Sequence, residues 1–454
     1  VSQQLRAVAP VEAVPGPRGT EALRWWWRLS REPAGTYLAL QRSYGDLVRL
    51  PYRRGKPFLL LNRPDLVEHL LVTHQDGYQK AVTYRPLQAF LGSGLLTSEG
   101  ELWQRHRRLI QPVFARRHVV SFAGVMAEAA RRSTDRWRDG DVVDVAAQMR
   151  AITLDVVGQA LFGSSLGADA ERIGAAMARV QTGAMVAMLL TTVAPERTRW
   201  SALLRLPGIR GAATDLDQIV GDIVSSRRRE GPSSEAGDLL DLLITARDAD
   251  GSGLTDAEIR DEVLTLMLAG HETTANALTW TLALLSMHPE ARDVVEQEVR
   301  DLPAAVTADD VEALAATAAT VSESMRLYPP AWAFEREAIR PDVIDGYAVT
   351  PGTTVGVSPY VLHRHPDLWP DPERFDPARF LQGVDRSRYA YIPFGGGRRI
   401  CVGSGFATLE ATAILAVITQ GFRLDLVEGA LPQVRPEVTL STRGPVLARV
   451  SRRR

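Results

Sequence analysis

The sequence predicts a mainly α-helical fold with a minor β-sheet region, and three observations carry that expectation. Helix-period apolar patterns dominate from about Asp65 onward. One of them, Thr255 to His288, continues far beyond an average helix and must cross a core. Two short β-prone runs, Asp46 to Leu50 and Phe58 to Leu61, flank Arg53-Arg54-Gly55-Lys56 and read as a hairpin.

Taken in order, Pro15-Gly16-Pro17-Arg18-Gly19 makes residues 1–20 a stiff, extended lead. No linker composition interrupts the rest, so residues 21–454 are expected to form one large domain. The Trp25-Trp26-Trp27 cluster beside Arg24 and Arg28 suits an amphipathic first helix, and contact with a membrane surface is the alternative. Burial is favoured because tryptophan is highly buried on average. Helices follow at Asp65 to Val72, Glu101 to Val113, Val119 to Trp137, Val142 to Phe162, Asp169 to Met188 and Leu216 to Arg229. Further ones are expected at Ala236 to Asp248, Thr255 to His288, Pro289 to Asp301, Val311 to Leu327 and Gly405 to Thr419. The most apolar run, Gly183 to Ala194, meets Pro195 too soon to span a membrane, and the Arg452-Arg453-Arg454 tail is expected to fray.

Composition excludes several classes. A hydrophobic content of 45%, a charged content of 24% and a formal net charge of −1 describe an ordinary folded protein with a sizeable core, with no charge excess for nucleic acid. One cysteine rules out an internal disulfide framework and fits a reducing cytoplasm. Neither a signal pattern nor an apolar run of about 20 residues is present, so no integral membrane association is expected.

That cysteine, Cys401, lies in Phe394-Gly395-Gly396-Gly397-Arg398-Arg399-Ile400-Cys401-Val402-Gly403, a glycine-rich loop running into an apolar helix. Three glycines let backbone lie against a flat partner, and the helix N-terminus favours a thiolate. A small buried hydrophobe is the plain alternative. In the middle of the long helix, Ala269-Gly270-His271-Glu272-Thr273-Thr274 combines small residues with an acid and an alcohol, a place where a helix kinks or bulges. Glu323 and Arg326 share a helix face at i, i+3.

Phe394, Gly397, Arg399, Cys401 and Gly403 match the Phe-x-x-Gly-x-Arg-x-Cys-x-Gly signature of the cytochrome P450 family, and the chain resembles that family along nearly its whole length. The resemblance implies the cytochrome P450 fold, haem b as cofactor and Cys401 as the axial thiolate on its iron. It also implies that Thr273 orders water and oxygen, that Glu272 supplies protons and that Gly270 gives O2 clearance. Trp103 and Arg107 fit the family's Trp-x-x-x-Arg, which reaches a haem propionate, with Arg336 and Arg399 as further propionate ligands and His106 as a possible participant. Glu323 and Arg326, completed by Arg374 in Pro372-Glu373-Arg374-Phe375, resemble the structural network that holds the cysteine side.

Insertion of one oxygen atom from O2 into a C–H bond is the implied reaction, with haem supplying the hard chemistry. By the same resemblance the substrate pocket is expected from Tyr84 to Leu95, Met177 to Leu190, Leu264 to Ala269 and Trp332 to Phe334. Tyr84, Phe90, Met185, Ala269, Trp332, Phe334 and Val446 are its candidate walls. Their apolar character points to a lipophilic small molecule, a terpenoid first, then a fatty acyl chain or a macrolide or polyketide precursor. Electrons are expected from a ferredoxin and ferredoxin reductase, steered by Arg105, Arg108, Arg116 and Arg117, and the chain is expected to be a monomer. Rival classes are a haem gas sensor, a peroxide user and a helical interaction protein without haem.

Overall fold

The computed structural model describes residues 8–51, 57–164, 169–193, 207–231, 237–381 and 387–453. Helix Asp256–Met287 runs through the largest apolar cluster, and its residues from Ile259 to Leu285 are buried on nearly every side. An all-round apolar surface demands such a position. Thr255 starts this helix through a capping box: its hydroxyl accepts the Glu258 N–H while Glu258 accepts the Thr255 N–H at 2.8 Å. The α pattern is continuous through Ala269 to Thr274, without the expected π-type bulge, and the Thr273 hydroxyl back-bonds to the Ala269 carbonyl.

Helices Ala123–Thr134, Val145–Phe162 and Ser404–Gly421 contribute to the same cluster. Near its end, Trp280 stacks on Tyr328 at 3.9 Å and donates its indole N–H to the Leu440 carbonyl at 3.2 Å. Such a ring pair contributes about 0.5–1.5 kcal/mol beyond area burial.

The strands are β1 (Leu47–Pro51), β2 (Pro57–Leu61), β3 (Tyr78–Lys80) and β4 (Val142–Asp144). They continue with β5 (Phe334–Ala338), β6 (Asp342–Ile344), β7 (Tyr347–Val349) and β8 (Thr354–Val357). The last are β9 (Phe422–Leu426), β10 (Val434–Pro436), β11 (Leu440–Thr442) and β12 (Leu447–Arg452). A five-stranded sheet has the order β1-β2-β8-β5-β3, and a second sheet runs β4-β12-β9. The β6–β7 hairpin turns on Asp345-Gly346, both at positive φ, as a two-residue turn requires.

Several expected boundaries move. The Arg53 to Lys56 turn lies outside the described residues, as do Ala194 and Pro195. Val142 and Val143 belong to β4, paired with β12, and Asp144 caps the helix that follows by accepting the Ala146 N–H. The run from Val311 to Leu327 splits into Ala308–Glu312 and Ala315–Leu327, because the Glu298 carboxylate accepts the N–H groups of Ala316 and Thr317 at 2.8 Å and starts a new helix. Asp65 to Val72 holds α geometry only through Glu68 and then opens into a π-turn, His69–Thr73.

The ends differ as well. In the lead, Val11 and Val14 are buried and the Ala9 N–H reaches the Gly346 carbonyl, so it packs rather than merely extends. Arg452 ends β12, and the Arg453 guanidinium bonds the carbonyls of Thr419 and Glu296, so neither frays. In the first helix, Gly19–Leu29, Trp25 and Trp26 are half-buried while Trp27 stays 63% exposed, held by Arg31 over its ring.

Candidate active site

A cavity of about 390 Å³ separates the cysteine loop from the middle of the central helix. Phe394, Gly395, Gly396, Arg399, Cys401 and Gly403 line one side, and Ala269, Gly270, Thr273 and Thr274 the other. The loop holds its shape through the Cys401 N–H, which donates to the Phe394 carbonyl at 3.0 Å. Gly397 sits at φ +64°, and a Cβ there would lie 1.9 Å from the Leu71 carbonyl oxygen. Only glycine fits.

Cys401 lies just ahead of the Ser404–Gly421 helix, yet the helix end does not decide its charge. Burial pushes the thiol up, opposed by the Gly403 N–H and by Arg107. A bound cation, rather than the dipole, is what this sulfur needs to stay ionised.

The rim is cationic. Lys80 and Arg336 are in register across β3 and β5, and Arg399 closes on them, with Glu99 its ion-pair partner. Burial, then Arg399, pushes the Lys80 ammonium down to about 6. Arg399, over the Trp103 ring at 4.2 Å, is held down to about 10, mainly by desolvation. Arg107 donates to the Ile400 carbonyl at 2.8 Å. Two arginines and a lysine that gains its proton beside anions, set around one carboxylate, suit a ligand carrying two more. A flat glycine-walled slot, one thiol and an anion-seeking rim together fit haem, with Cys401 toward the iron and Lys80, Trp103, Arg107, Arg336 and Arg399 near the carboxylates.

Glu272 lies elsewhere. Successive residues on a helix point about 100° apart. Thr273 therefore faces the haem cavity, while Glu272 opens on a neighbouring polar cavity of about 730 Å³ with Arg150, Gln181, His271 and Glu437. Burial raises the Glu272 carboxyl, against hydrogen bonds from Thr439 and Gln181. His271 is buried against the Arg150 carbonyl and pushed down to about 4, so it stays neutral.

Glu323 and Arg326 form a fully buried bidentate pair with contacts of 2.7 and 2.8 Å. Arg374 enters this network through its carbonyl, which accepts from Arg326 at 3.0 Å, and its side chain is exposed. The guanidinium 3.5 Å from Glu323 belongs to Arg379 instead, because the 3-10 turn Pro377–Phe380 carries it inward.

Of the expected substrate walls, Tyr84, Ala269 and Phe334 line the haem cavity. Phe90 borders a separate pocket of about 10 Å³, and Met185 is half-buried on helix Asp169–Val193 outside the lining. Trp332 packs on Tyr37 and donates to the Glu437 carbonyl, and Val446 is buried in the main core; neither reaches the cavity. His106 is fully buried, with Nδ1 2.6 Å from Glu262, and so turns away from the rim. Arg105, Arg108 and Arg116 pair with Glu258, Asp248 and Glu312, which cancels much of the expected basic patch.

Two charged lining residues were not anticipated from sequence. Lys80 sits in a three-residue strand with no local signal. Glu410 is the one charged residue of the Ser404–Gly421 helix, which is the signal that it does something. Its carboxyl is buried beside the Thr274 hydroxyl, and burial pushes it up to about 8 against that neighbour.

This fold and site define a haem-thiolate oxidoreductase. Residues 16–448 match the cytochrome P450 family. The chain is 37% identical over 401 residues to the putative cytochrome P450 132 of Mycobacterium tuberculosis, covering 85% of this chain and 86% of that one. It is 35% identical over 432 residues to the cyclooctatin synthase of Streptomyces melanosporofaciens, covering 92% and 91%. The crystal structure of the cytochrome P450DA heme domain superposes with a TM-score of 0.86 at 28% identity, covering 99% of each chain. The chain belongs to the cytochrome P450 family and is a haem-dependent monooxygenase. Among the described residues, no helix is long and apolar enough to cross a membrane.

Proposed function

We propose that the chain hydroxylates a terpenoid of secondary metabolism, with electrons from a ferredoxin and its reductase in the cytoplasm. The observation that carries the substrate class is where charge sits in the cavity. Its charged lining residues are Lys80, Arg107, Arg336 and Arg399 about the cysteine loop and rim, and Glu410 beside Thr274, whose carboxyl burial pushes up to about 8 and so keeps mostly neutral. Much of the remaining lining is apolar, with Leu95, Leu96, Leu161 and Leu266 among it. A ligand there gains by burying hydrocarbon, about 25 cal/mol per Å², and finds no ion to anchor it. Relatives named cyclooctat-9-en-7-ol 5-monooxygenase and pentalenene oxygenase, both named for oxidising a largely hydrocarbon molecule, support the same reading.

Haem, when bound, supplies the oxygen chemistry. In this reading Cys401 Sγ holds it, and the Lys80, Arg336 and Arg399 cations with the Trp103 indole fix its orientation. The Thr273 hydroxyl proton is committed to the Ala269 carbonyl, so the oxygen's lone pairs are what it offers the cavity, as an acceptor that orders water or oxygen. Glu272, its carboxyl raised by burial, would be the proton source on the polar cavity, and its side chain would have to swing, or water intervene, to bring a proton to the Thr273 side of the helix. Since the chain has one cysteine, it has no thiolate set of its own for an iron–sulfur cluster, which supports an external donor.

Titration of the haem-loaded protein with terpenes, fatty acids and macrolide precursors, followed by the Soret shift, tests the substrate class. Tightest binding of a terpene is expected. Preference for a fatty acid, whose carboxylate has no partner on the apolar side, overturns it.

A further inference from the structure

We infer that His69, His74 and Asp342 form a binding site for a divalent d-block cation, zinc being the simplest occupant. The site lies outside the haem cavity, where the π-turn His69–Thr73 meets the first residue of β6. In an α-helix residues five apart diverge. Here the turn closes with the His74 N–H on the His69 carbonyl at 2.9 Å, so the two imidazoles stack at 3.8 Å and 18°.

Both rings aim Nε2 at one carboxylate: His69 at 2.8 Å from Oδ2 and His74 at 4.0 Å from Oδ1. The second distance is too long for a hydrogen bond, so the carboxylate alone does not satisfy both rings. Ligands on tetrahedral zinc sit about 3.3 Å apart, given bonds of roughly 2.0–2.1 Å. The observed separations bracket that value, while two imidazoles on one tetrahedral ion hold their ring centroids about 5 Å apart, so seating the ion requires the stacked rings to swing apart from 3.8 Å. Tyr78 donates to Oδ2 at 2.6 Å and orients the carboxylate, the kind of supporting bond that metal ligands use. Two imidazoles and one carboxylate select zinc, copper or nickel over calcium or magnesium, which prefer all-oxygen shells. His74 is half-exposed, which leaves room for entry and for water as a further ligand. Among the described residues, no other group of three His, Cys, Asp or Glu brings its ligand atoms this close.

The site has a mechanical consequence. Leu71, inside the π-turn, presents its carbonyl to Gly397 and its side chain to Gly396. An ion joining His69 and His74 to the β6–β7 hairpin would brace the turn on which the cysteine loop rests.

Calorimetric titration of the full haem-loaded chain with zinc chloride tests this, since haem occupies Cys401 and removes it as a competing ligand. One saturable site per chain is expected, with a raised thermal transition. His74→Ala and Asp342→Asn should each weaken binding by about tenfold or more, whereas His118→Ala should leave it unchanged. The reduced carbon monoxide spectrum verifies that each variant keeps its fold. Absence of saturable binding, or a site that survives both substitutions, overturns the inference.

Discussion

Lys80 and Arg336 stand directly opposite one another across the antiparallel pair of β3 and β5, both lining the haem cavity. Like charges in register destabilise a sheet. The haem-free chain avoids that cost by holding the Lys80 ammonium down to about 6, and two carboxylates between Lys80, Arg336 and Arg399 would restore its charge, so this pair is built for the loaded protein rather than for the chain alone.

Haem affinity should therefore depend on pH through Lys80. Burial and Arg399 lower its ammonium to about 6 in the haem-free chain, from an ordinary 10.5. Carboxylates favour the charged form, so binding takes up a proton above pH 6. Affinity should fall as pH rises from there toward the ordinary lysine value, by at most about tenfold per pH unit. Stability of the haem-free chain has the opposite slope over the same window, because the unfolded state binds the extra proton. Haem transfer to a scavenger globin across pH 6.5 to 9 measures the affinity, and Lys80→Met should flatten the profile.

Thr273→Ala should keep substrate-induced spectral change while product formed per electron falls by about tenfold or more and peroxide rises. The cause is loss of the cavity-facing acceptor that back-bonds to Ala269. Stopped turnover with product and peroxide assayed together reads it, and tight coupling in the variant contradicts the role.

Gly397→Ala should cost about 2 kcal/mol or more, from the left-handed φ and from the collision with the Leu71 carbonyl. Urea unfolding of the haem-loaded protein is the measurement, with loss of the cysteine-ligated spectrum at lower denaturant.

Arg379→Ala should destabilise by about 1–3 kcal/mol, since it takes a cation from the buried Glu323 carboxylate. Arg374→Ala should stay within about 0.5 kcal/mol, because only its carbonyl serves the network. Equal effects in thermal denaturation would contradict this assignment.

The haem loop, the long helix with its acid and alcohol, and the Glu323–Arg326 pair were legible because each is local: spacing along the chain already places the groups. Arg379 was not, since Arg374 and Arg379 both precede a phenylalanine and only the fold of their loop selects which guanidinium points inward. Four of the seven expected substrate walls, Phe90, Met185, Trp332 and Val446, miss the cavity for a similar reason. Phe90, Trp332 and Val446 are as apolar as Tyr84 and Phe334, and burial in a core looks the same in sequence as burial in a pocket.

By itself, then, the sequence determined the mainly helical class, the cysteine loop and the reaction type, all encoded in short-range pattern. Tertiary structure decided how charge is distributed. It set Lys80 against Arg336, turned Glu272 into a cavity separate from that of Thr273, drew acids onto Arg105 and Arg108, and stacked His69 on His74 beside Asp342. Electrostatic neighbours come from residues far apart in the chain, and their energies depend on distances and burial that no local pattern specifies.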